Sequence, residues 1–289
     1  MDYLLLICTA FTGASLSLFS SFFEKKNDGK KDTTQIYNLI MIAAVVLGWG
    51  AYWIFEGGFN VKVIPYSLLF GVGYAGAVIG LINAIKTGPV SLSNLFLQLS
   101  LIATTIWGFG FWGDTPTVLT WIGIALVVLA LTFCLYQKKG AEEKGISVKW
   151  VIFSAIGFAG NGMAAIVART QQMDFDGILR GQFMTMATAF ALVITIIMYV
   201  LSDKRDTKAI IKTAGYVPAL AGIINVIHNL IVLVLAVSPI SPSLVYPVIS
   251  VGGIIIVALF SFFFMKEKIS LIQWIGIALG AAATVLLSI

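Results

Sequence analysis

Apolar runs of about 20 residues follow one another along the whole chain, separated by short polar turns. A run of that length, coiled as an α-helix, crosses a hydrocarbon core of about 30 Å. Only 11% of the residues are charged, whereas a soluble protein of ordinary composition carries about 25%. The runs are continuously apolar rather than alternating, which favours helices over a membrane β-barrel. This pattern predicts an all-α polytopic membrane protein.

The lengths and spacing of the runs predict ten transmembrane helices. We expect them at residues 2–23, 34–55, 66–85, 90–112, 118–136, 150–169, 181–201, 216–237, 242–264 and 269–289. No cleavable signal peptide is expected, because the first run follows Met1 and Asp2 without a basic segment or a small-residue cleavage motif. The longest polar stretch, residues 138–149, is predicted to be a linker loop.

The second half of the chain repeats motifs of the first half. The hexapeptide Trp-Ile-Gly-Ile-Ala-Leu occurs at residues 121–126 and again at 274–279. Three further matches share an offset of 150 residues: Tyr66 with Tyr216, Pro89-Val90-Ser91 with Pro239-Ile240-Ser241, and Ser100 with Ser250. We therefore predict two five-helix repeats, residues 1–137 and 150–289. Because five is an odd number, the second repeat must enter the membrane from the opposite side, and inverted repeats are typical of alternating-access transporters.

The second repeat carries Pro247 and the pair Gly252-Gly253 in the predicted helix at 242–264, Glu267 just after that helix, and a glycine-rich last helix. These features resemble the repeat unit of the drug/metabolite transporter superfamily. The chain is most similar to the EamA-like branch, and this resemblance implies ten helices and transport of a small metabolite such as an amino acid. The first repeat departs from the pattern, with Leu97 in place of the proline and Gly113-Asp114 in place of Lys266-Glu267.

Positive charge predicts which way the chain faces. Of the 18 Lys and Arg residues, 15 fall in the odd-numbered loops between predicted helices, and three fall elsewhere: Lys62, Arg169 and Arg180. Loops rich in Lys and Arg stay in the cytoplasm, so this count places both termini outside. The family resemblance implies the opposite, with both termini inside. We favour the charge count because the asymmetry is large and the loops are short.

Candidate functional residues are the polar side chains placed inside apolar runs, because such groups are costly in a bilayer and tend to be functional. His228 is the clearest of them, with Asn229 beside it. Its ordinary pKa lies near physiological pH, so it could bind substrate or carry a proton. Further candidates for binding substrate are Asn94, Gln98, Asn161, Tyr246, Thr12, Ser15, Tyr74, Asn83 and Arg169. For Arg169 the alternative is snorkelling or pairing with Asp174 or Asp176, and for the others it is a structural bond between helices.

Small residues mark expected helix contacts. The predicted helices at 66–85 and 269–289 carry Gly76-xxx-Gly80 and Gly276-xxx-Gly280, a spacing that lets helix backbones approach closely. We interpret these four glycines as packing residues.

The sequence also argues against several classes of function. It has one histidine, two cysteines inside apolar runs and no phosphate-binding glycine loop, so we expect no enzyme activity, no cofactor and no metal site. The net charge of +5 comes from loop lysines, which in a membrane protein report topology, so we expect no nucleic-acid partner. None of the 13 acidic residues lies deep in a predicted helix. A proton-coupled exporter of cationic drugs needs such a carboxylate, so a neutral, zwitterionic or anionic substrate is favoured.

These arguments predict a multi-pass plasma-membrane transporter working by alternating access, as a monomer or a homodimer. Its substrate, expected to be amino-acid-like, would bind between the halves near His228, Asn94, Gln98, Asn161 and Tyr246. Two alternatives stay open. One is a transporter or flippase of a lipid-linked or amphiphilic substrate, and the other is a non-transporting scaffold or accessory subunit.

The predicted orientation can be tested at the C-terminus. A reporter enzyme that works only in the cytoplasm, fused after Ile289, should be inactive, because the charge count places this end outside. Strong reporter activity in intact cells would contradict the assignment.

Overall fold

The computed structural model describes residues 2–87, 90–134, 136, 147–201, 206–264 and 270–287. Eleven α-helices lie within these ranges: α1 Asp2–Lys26, α2 Thr33–Glu56, α3 Ile64–Thr87, α4 Val90–Phe111, α5 Val118–Cys134, α6 Val148–Asp174, α7 Arg180–Val200, α8 Thr207–Ala214, α9 Tyr216–Leu235, α10 Pro242–Phe264 and α11 Leu271–Leu287. One 3₁₀ turn, Val61–Val63, precedes α3. No strand occurs among the described residues, so the all-α prediction is confirmed there. Glu267 and most of the predicted linker lie outside the described residues.

Seven helices in the described part of the chain are long and apolar enough to cross a membrane: Asp2–Lys26, Thr33–Glu56, Val61–Ala84, Val148–Asp174, Arg180–Val200, Tyr216–Leu235 and Ser243–Phe260. Shorter apolar stretches occur at Phe96–Phe111, Val118–Cys134 and Leu271–Leu287. By the length and composition of its helices the chain is a polytopic helical membrane protein. The count of ten crossings stays a prediction.

Two helices differ from the sequence-based prediction. Helix α6 continues to Asp174 rather than ending at Arg169, so Arg169 lies inside the helix. Helix α8 occupies a basic stretch that we expected to be a loop. Its Ile210 and Ala214 are buried at a four-residue spacing while Lys208 and Lys212 are exposed, which is the pattern of an amphipathic helix. Eight residues are too few to span a bilayer, so this helix contains no long apolar run by which the sequence could have predicted it.

The chain folds as two compact units, each drawing on both halves of the sequence. Unit 1 comprises Met1–Phe11, Gly73–Ile166 and Ser238–Ile289, and unit 2 comprises Thr12–Val72 and Val167–Val237. Each repeat predicted from sequence is one half of the chain, whereas each compact unit contains segments of both halves. The repeats therefore stay a prediction.

Unit 1 is built on helix pairs that pack along their length. Helix α5 lies along α11, and α4 lies along α10. The core between them consists of small and branched apolar side chains: Ile102, Ile124, Val127, Ala130, Leu131, Val251 and Ala283. At the predicted packing glycine Gly276, a Cβ atom would lie 2.6 Å from the backbone nitrogen of Cys134. The close approach of α5 and α11 therefore depends on a glycine at this position.

A second contact in unit 1 is the crossing of α3 and α6, which is lined by glycines. At Gly160, a Cβ atom would lie 2.5 Å from both the carbonyl oxygen of Gly73 and the nitrogen of Ala77. Gly76 and Gly80 of α3 face Gly160 and Gly157 of α6 at the same crossing. The interpretation of Gly76 and Gly80 as packing residues is confirmed, because backbone meets backbone here with no room for side chains.

Unit 2 is organised around α2, which packs along α7 and α9. Trp49 and Ile42 of α2 and Phe183 of α7 are fully buried. Polar contacts join the helix ends of this unit in two groups. What we call the basic end comprises residues 24–32 and 206–216, where Lys30 Nζ donates to Thr213 Oγ1 at 2.9 Å. What we call the amide end comprises residues 53–60 and 171–182, where Asn60 and Gln182 exchange two hydrogen bonds of 2.8 Å.

The two ends of unit 2 agree with the division into odd-numbered and even-numbered loops that the positions of Lys and Arg predicted. The basic end joins the first loop to the polar stretch before α9, and both belong to the lysine-rich, odd-numbered set. The amide end joins the two even-numbered loops of this unit. Loops of one set thus lie at the same end of the unit, as alternating crossings of a membrane require.

The glycine crossing gives a stability prediction. Replacing Gly160 with Ala forces a methyl group against fixed backbone atoms, and overpacking of this kind costs about 1–3 kcal/mol. The melting temperature of the purified protein in detergent should fall accordingly. The matched control is Gly50→Ala in α2, where nothing lies within 4 Å of an added Cβ, and there the stability should be unchanged or slightly higher. Equal melting temperatures for the two variants would contradict the close crossing.

Candidate functional site

The strongest candidate site in unit 2 is the contact between His228 and Thr12. His228 lies near the middle of α9, and its Nδ1 atom is 2.8 Å from the hydroxyl oxygen of Thr12 in α1. The imidazole is half-buried. Its Cε1 atom lies 3.4 Å from the position a Cβ would take at Gly13, so the ring lies close beside α1 at this residue. A titratable ring is therefore held at mid-helix by a hydroxyl of a second helix.

The chemistry of this pair is adaptable. A threonine hydroxyl can donate or accept a hydrogen bond, and a neutral imidazole has one donor and one acceptor nitrogen. When Nδ1 accepts from Thr12, Nε2 carries the proton, and when Nδ1 donates, Nε2 is an acceptor. The pair can thus match a ligand donor or a ligand acceptor through a change of tautomer, and it can hold a proton on both nitrogens.

Two asparagines extend the polar surface of α9. Asn229 Nδ2 donates to the backbone oxygen and to the side-chain oxygen of Asn225, both at 2.9 Å. Asn229 was predicted as a substrate residue, and the structure places its amide nitrogen in bonds within its own helix. Asn225 was missed by the sequence analysis, although a second amide four residues earlier is a spacing that puts the two side chains in contact.

The remaining predicted residues of unit 2 are Ser15 and Arg169. Ser15 follows Thr12 by three residues, so the two hydroxyls lie on one face of α1. Arg169 lies in the last turns of α6 and is only 8% exposed. A buried guanidinium retains its charge and needs acceptors around it.

Unit 1 contains the other predicted residues, and several of them meet in a polar seam between α4, α6 and α10. Asn161 Nδ2 donates to Ser100 Oγ at 2.7 Å and to the oxygen of Leu97 at 3.3 Å. Ser250 Oγ donates to the backbone oxygen of Gln98 at 3.2 Å. Each of these bonds ties one helix to another. For Asn161 they favour the structural alternative stated in the sequence analysis.

The last four predicted residues of unit 1 differ in setting. Tyr246 is 4% exposed, directly before the proline inside α10. Asn83 donates to the oxygen of Ile79 in its own helix at 2.8 Å, so its amide makes a local bond. Tyr74 is half-buried on α3, and the side chain of Asn94 lies outside the described residues. The predicted grouping of His228 with the residues of unit 1 stays a prediction.

The amide end of unit 2 holds a buried polar network that the sequence analysis did not identify. Arg180 Nε donates to Gln172 Oε1 at 2.8 Å, and Gln172 Nε2 donates to Gln171 Oε1. Gln171 and Gln172 are both fully buried. Because a guanidinium only donates, it fixes the orientation of Gln172, which in turn fixes that of Gln171. The signal available in the sequence was the pair of adjacent glutamines, which we assigned to a loop.

Glu56 completes this network from the end of α2. Its two carboxylate oxygens accept the backbone N–H groups of Arg180 at 3.2 Å and Gly181 at 2.6 Å. The residue before α7 is Leu179, in a left-handed conformation with φ of 61°, and its side chain has no acceptor. A carboxylate of another helix therefore caps the N-terminus of α7, where negative charge is favoured.

Comparison with known proteins gives the fold alone. No protein-family model and no curated protein matches the chain. Among solved structures, 29 chains match it. One of these, described as "Crystal structure of protein", is 13% identical, with a TM-score of 0.75 over 99% of this chain and 95% of its own. The helix arrangement is thus shared with solved proteins, and at this identity nothing about activity follows.

The cap on α7 gives a prediction for the amide end. Glu56→Ala removes the acceptor of two backbone N–H groups, and leaving buried donors without partners costs about 1–3 kcal/mol. The melting temperature in detergent should fall, and Glu56→Gln, which keeps one carbonyl oxygen, should fall less.

The matched control for this prediction is Glu24→Ala. Glu24 is exposed near the end of α1, so its loss should leave the melting temperature unchanged. Equal effects at Glu56 and Glu24 would show that the cap contributes nothing.

Proposed function

We propose that this chain is a secondary transporter that moves a small neutral, zwitterionic or anionic metabolite across the plasma membrane by alternating access. The observation that carries the proposal is the half-buried His228 at the middle of α9, hydrogen-bonded to Thr12 of α1. Polar and ionisable side chains inside a membrane helix are costly, and they mark substrate and proton pathways. The resemblance to EamA-like transporters supports an amino-acid-like substrate.

Helix pairing within the two units supports an inverted repeat of five helices. In the repeat predicted from sequence, α5 is equivalent to α11, α4 to α10 and α2 to α7. Each of these equivalent pairs packs together, as expected when a two-fold axis passes between the members of a pair. Transporters built from inverted repeats place such an axis in the membrane plane.

Two further contacts correspond when the halves are exchanged. The repeat makes α1 equivalent to α6 and α9 equivalent to α3. In this correspondence, the α1–α9 contact is equivalent to the α6–α3 crossing. The first is made by Thr12 and His228, and the second by Gly160 and Gly73. One crossing is polar with a half-buried ring, and the other is closed by glycine backbones. This difference favours the α1–α9 crossing as the side where substrate binds, because a ligand needs room and polar partners.

The role of each residue follows from this assignment. His228 would bind a polar group of the substrate or carry a proton through the transport cycle. Thr12 positions the ring through the bond to Nδ1, which its hydroxyl can make with either tautomer. The ring lies beside Gly13 of α1.

The test begins with a ligand. A thermal-shift screen of the purified protein against small metabolites should find a compound that raises the melting temperature, because a ligand that binds only the folded state stabilises it by about 2.7 kcal/mol at 100 times its Kd. The wild-type protein in liposomes should then take up that compound. Stabilisation only by amphiphilic compounds would favour the flippase alternative, and a ligand that is bound but never moved would favour a scaffold or accessory subunit.

Variants then locate the site. His228→Ala and Thr12→Val should each lower uptake by roughly tenfold, the effect of losing a hydrogen bond worth about 1.4 kcal/mol. The control is Thr195→Val, because the Thr195 hydroxyl bonds only carbonyl oxygens of its own helix α7 in the described structure. Unchanged uptake in a His228→Ala, Thr12→Val double variant would show that the site is wrong.

A further inference from the structure

The basic end of unit 2 presents ammonium groups at the ends of helices that are long and apolar enough to cross a membrane. Six lysines belong to it among the described residues: Lys25, Lys26, Lys30, Lys31, Lys208 and Lys212. Five of them are exposed, and Lys30 is half-buried. The same segments carry four acids, Glu24, Asp28, Asp32 and Asp206, so the described residues of this end have an excess of two positive charges.

Hydrogen bonds hold these lysines in one assembled surface. Lys30 Nζ donates to Thr213 Oγ1 of α8 at 2.9 Å and to Asn27 Oδ1 at 3.0 Å. The backbone N–H of Lys31 donates to Asp206 Oδ2 at 2.8 Å. The turn after α1 is thereby attached to α8, so lysines that are about 180 residues apart in sequence share one surface.

The contacts made by Lys26 and Lys30 leave their charges unneutralised. Lys26 Nζ donates to the hydroxyl of Tyr216 at 3.3 Å, and Lys30 bonds a hydroxyl and an amide oxygen. All of these partners are neutral. Asp206, in contrast, has one carboxylate oxygen occupied by a backbone N–H. The electrostatic potential around the described residues of this end is therefore expected to be positive.

Helix α8 gives this surface the geometry of an interfacial helix. At about 1.5 Å per residue, its eight residues extend about 12 Å, far short of a bilayer. Ile210 and Ala214 are buried against unit 2, while Lys208, Ile211 and Lys212 are exposed. A short helix with lysines on its outer face and an adjoining exposed apolar residue is suited to the headgroup layer.

Aromatic rings adjoin the ammonium groups. Lys26 Nζ lies 4.8 Å from the centroid of the Phe22 ring and 5.7 Å from that of Tyr216. Phe22 is 45% exposed and Tyr216 is 55% exposed. Aromatic rings near the ends of membrane-spanning helices are typical of the membrane–water interface. The surface thus combines cations for a phosphate group with exposed apolar side chains for the glycerol and acyl region.

We propose that the basic end of unit 2 is a binding site for the headgroup of an anionic phospholipid. Lys30, Lys208 and Lys212 contact the phosphate, and Ile211, Phe22 and Tyr216 contact the apolar part below it. Juxtamembrane lysine clusters attract anionic lipids, and each further lysine strengthens the attraction. The bound lipid would hold the turn after α1 and α8 together. The proposal does not depend on transport, because lipid binding is measured on the purified protein.

The test compares phosphatidylglycerol with phosphatidylcholine on the full-length protein in neutral detergent. Native mass spectrometry counts bound lipids, and a melting curve records the stabilisation. Phosphatidylglycerol should bind with an affinity roughly tenfold higher than phosphatidylcholine, and 0.5 M NaCl should remove most of that preference, because surface charges are screened. Equal binding of the two lipids, or a preference insensitive to salt, would overturn the proposal.

Lysine variants locate the site. The triple variant Lys30→Gln, Lys208→Gln, Lys212→Gln should lose the preference for phosphatidylglycerol. The control is Lys62→Gln with Lys149→Gln, two exposed lysines outside the basic end, and this variant should retain it. The melting temperature without added lipid checks that the triple variant is folded. If it is not, the salt dependence of the wild-type protein and the control variant decide. Equal loss in the control variant would show non-specific attraction.

Discussion

Hydrocarbon offers no hydrogen-bond partner to a polar group, and the architecture of this protein follows from that constraint. Backbone groups satisfy it by forming helices, which account for nearly all of the described chain apart from its turns. Polar side chains inside the helices must satisfy it through neighbouring helices or their own carbonyls. The observed bonds show both solutions. Asn83 and Thr195 bond within their own helices, whereas Asn161 and Ser250 bond to another helix.

The same constraint distinguishes His228 from the other polar residues. Asn161 can hold two helices in one fixed position, because the charge of an amide and its number of hydrogen-bond donors do not change. An imidazole changes its donor pattern with tautomer and its charge with protonation. Held by Thr12 and only half-buried, it has the properties of a group that exchanges partners. The crossing of α3 and α6, packed through glycines, has the properties of a fixed contact.

The two ends of unit 2 satisfy their polar groups in opposite ways. At the amide end, hydrogen bonds within the protein join Glu56, Arg180 and Gln172. The polar groups of this network are thus satisfied by one another. At the basic end, Lys26 and Lys30 bond only neutral partners among the described residues, so positive charge is left for the surroundings. A network whose polar groups bond one another adds rigidity. Charged groups without charged protein partners can instead bind the lipid or ions beside them.

The sequence by itself determined the helices, because the length and hydropathy of a segment are properties of that segment alone. The helices of the described residues other than α8 begin and end close to the limits predicted for apolar runs, with the extension of α6 to Asp174 as the main difference. The sequence also identified His228, Asn161 and Gly76, since polar or small residues in apolar runs are conspicuous. Only the tertiary structure decided the partners: Thr12 for His228, Ser100 for Asn161 and Glu56 for the start of α7. It also revealed α8 as a helix, because the burial of Ile210 and Ala214 depends on contacts with α2 and α9. Asn225 and Gln172 were missed for another reason: their partners lie within eight residues along the chain, but amides in predicted helix and loop segments do not by themselves show which bonds they make.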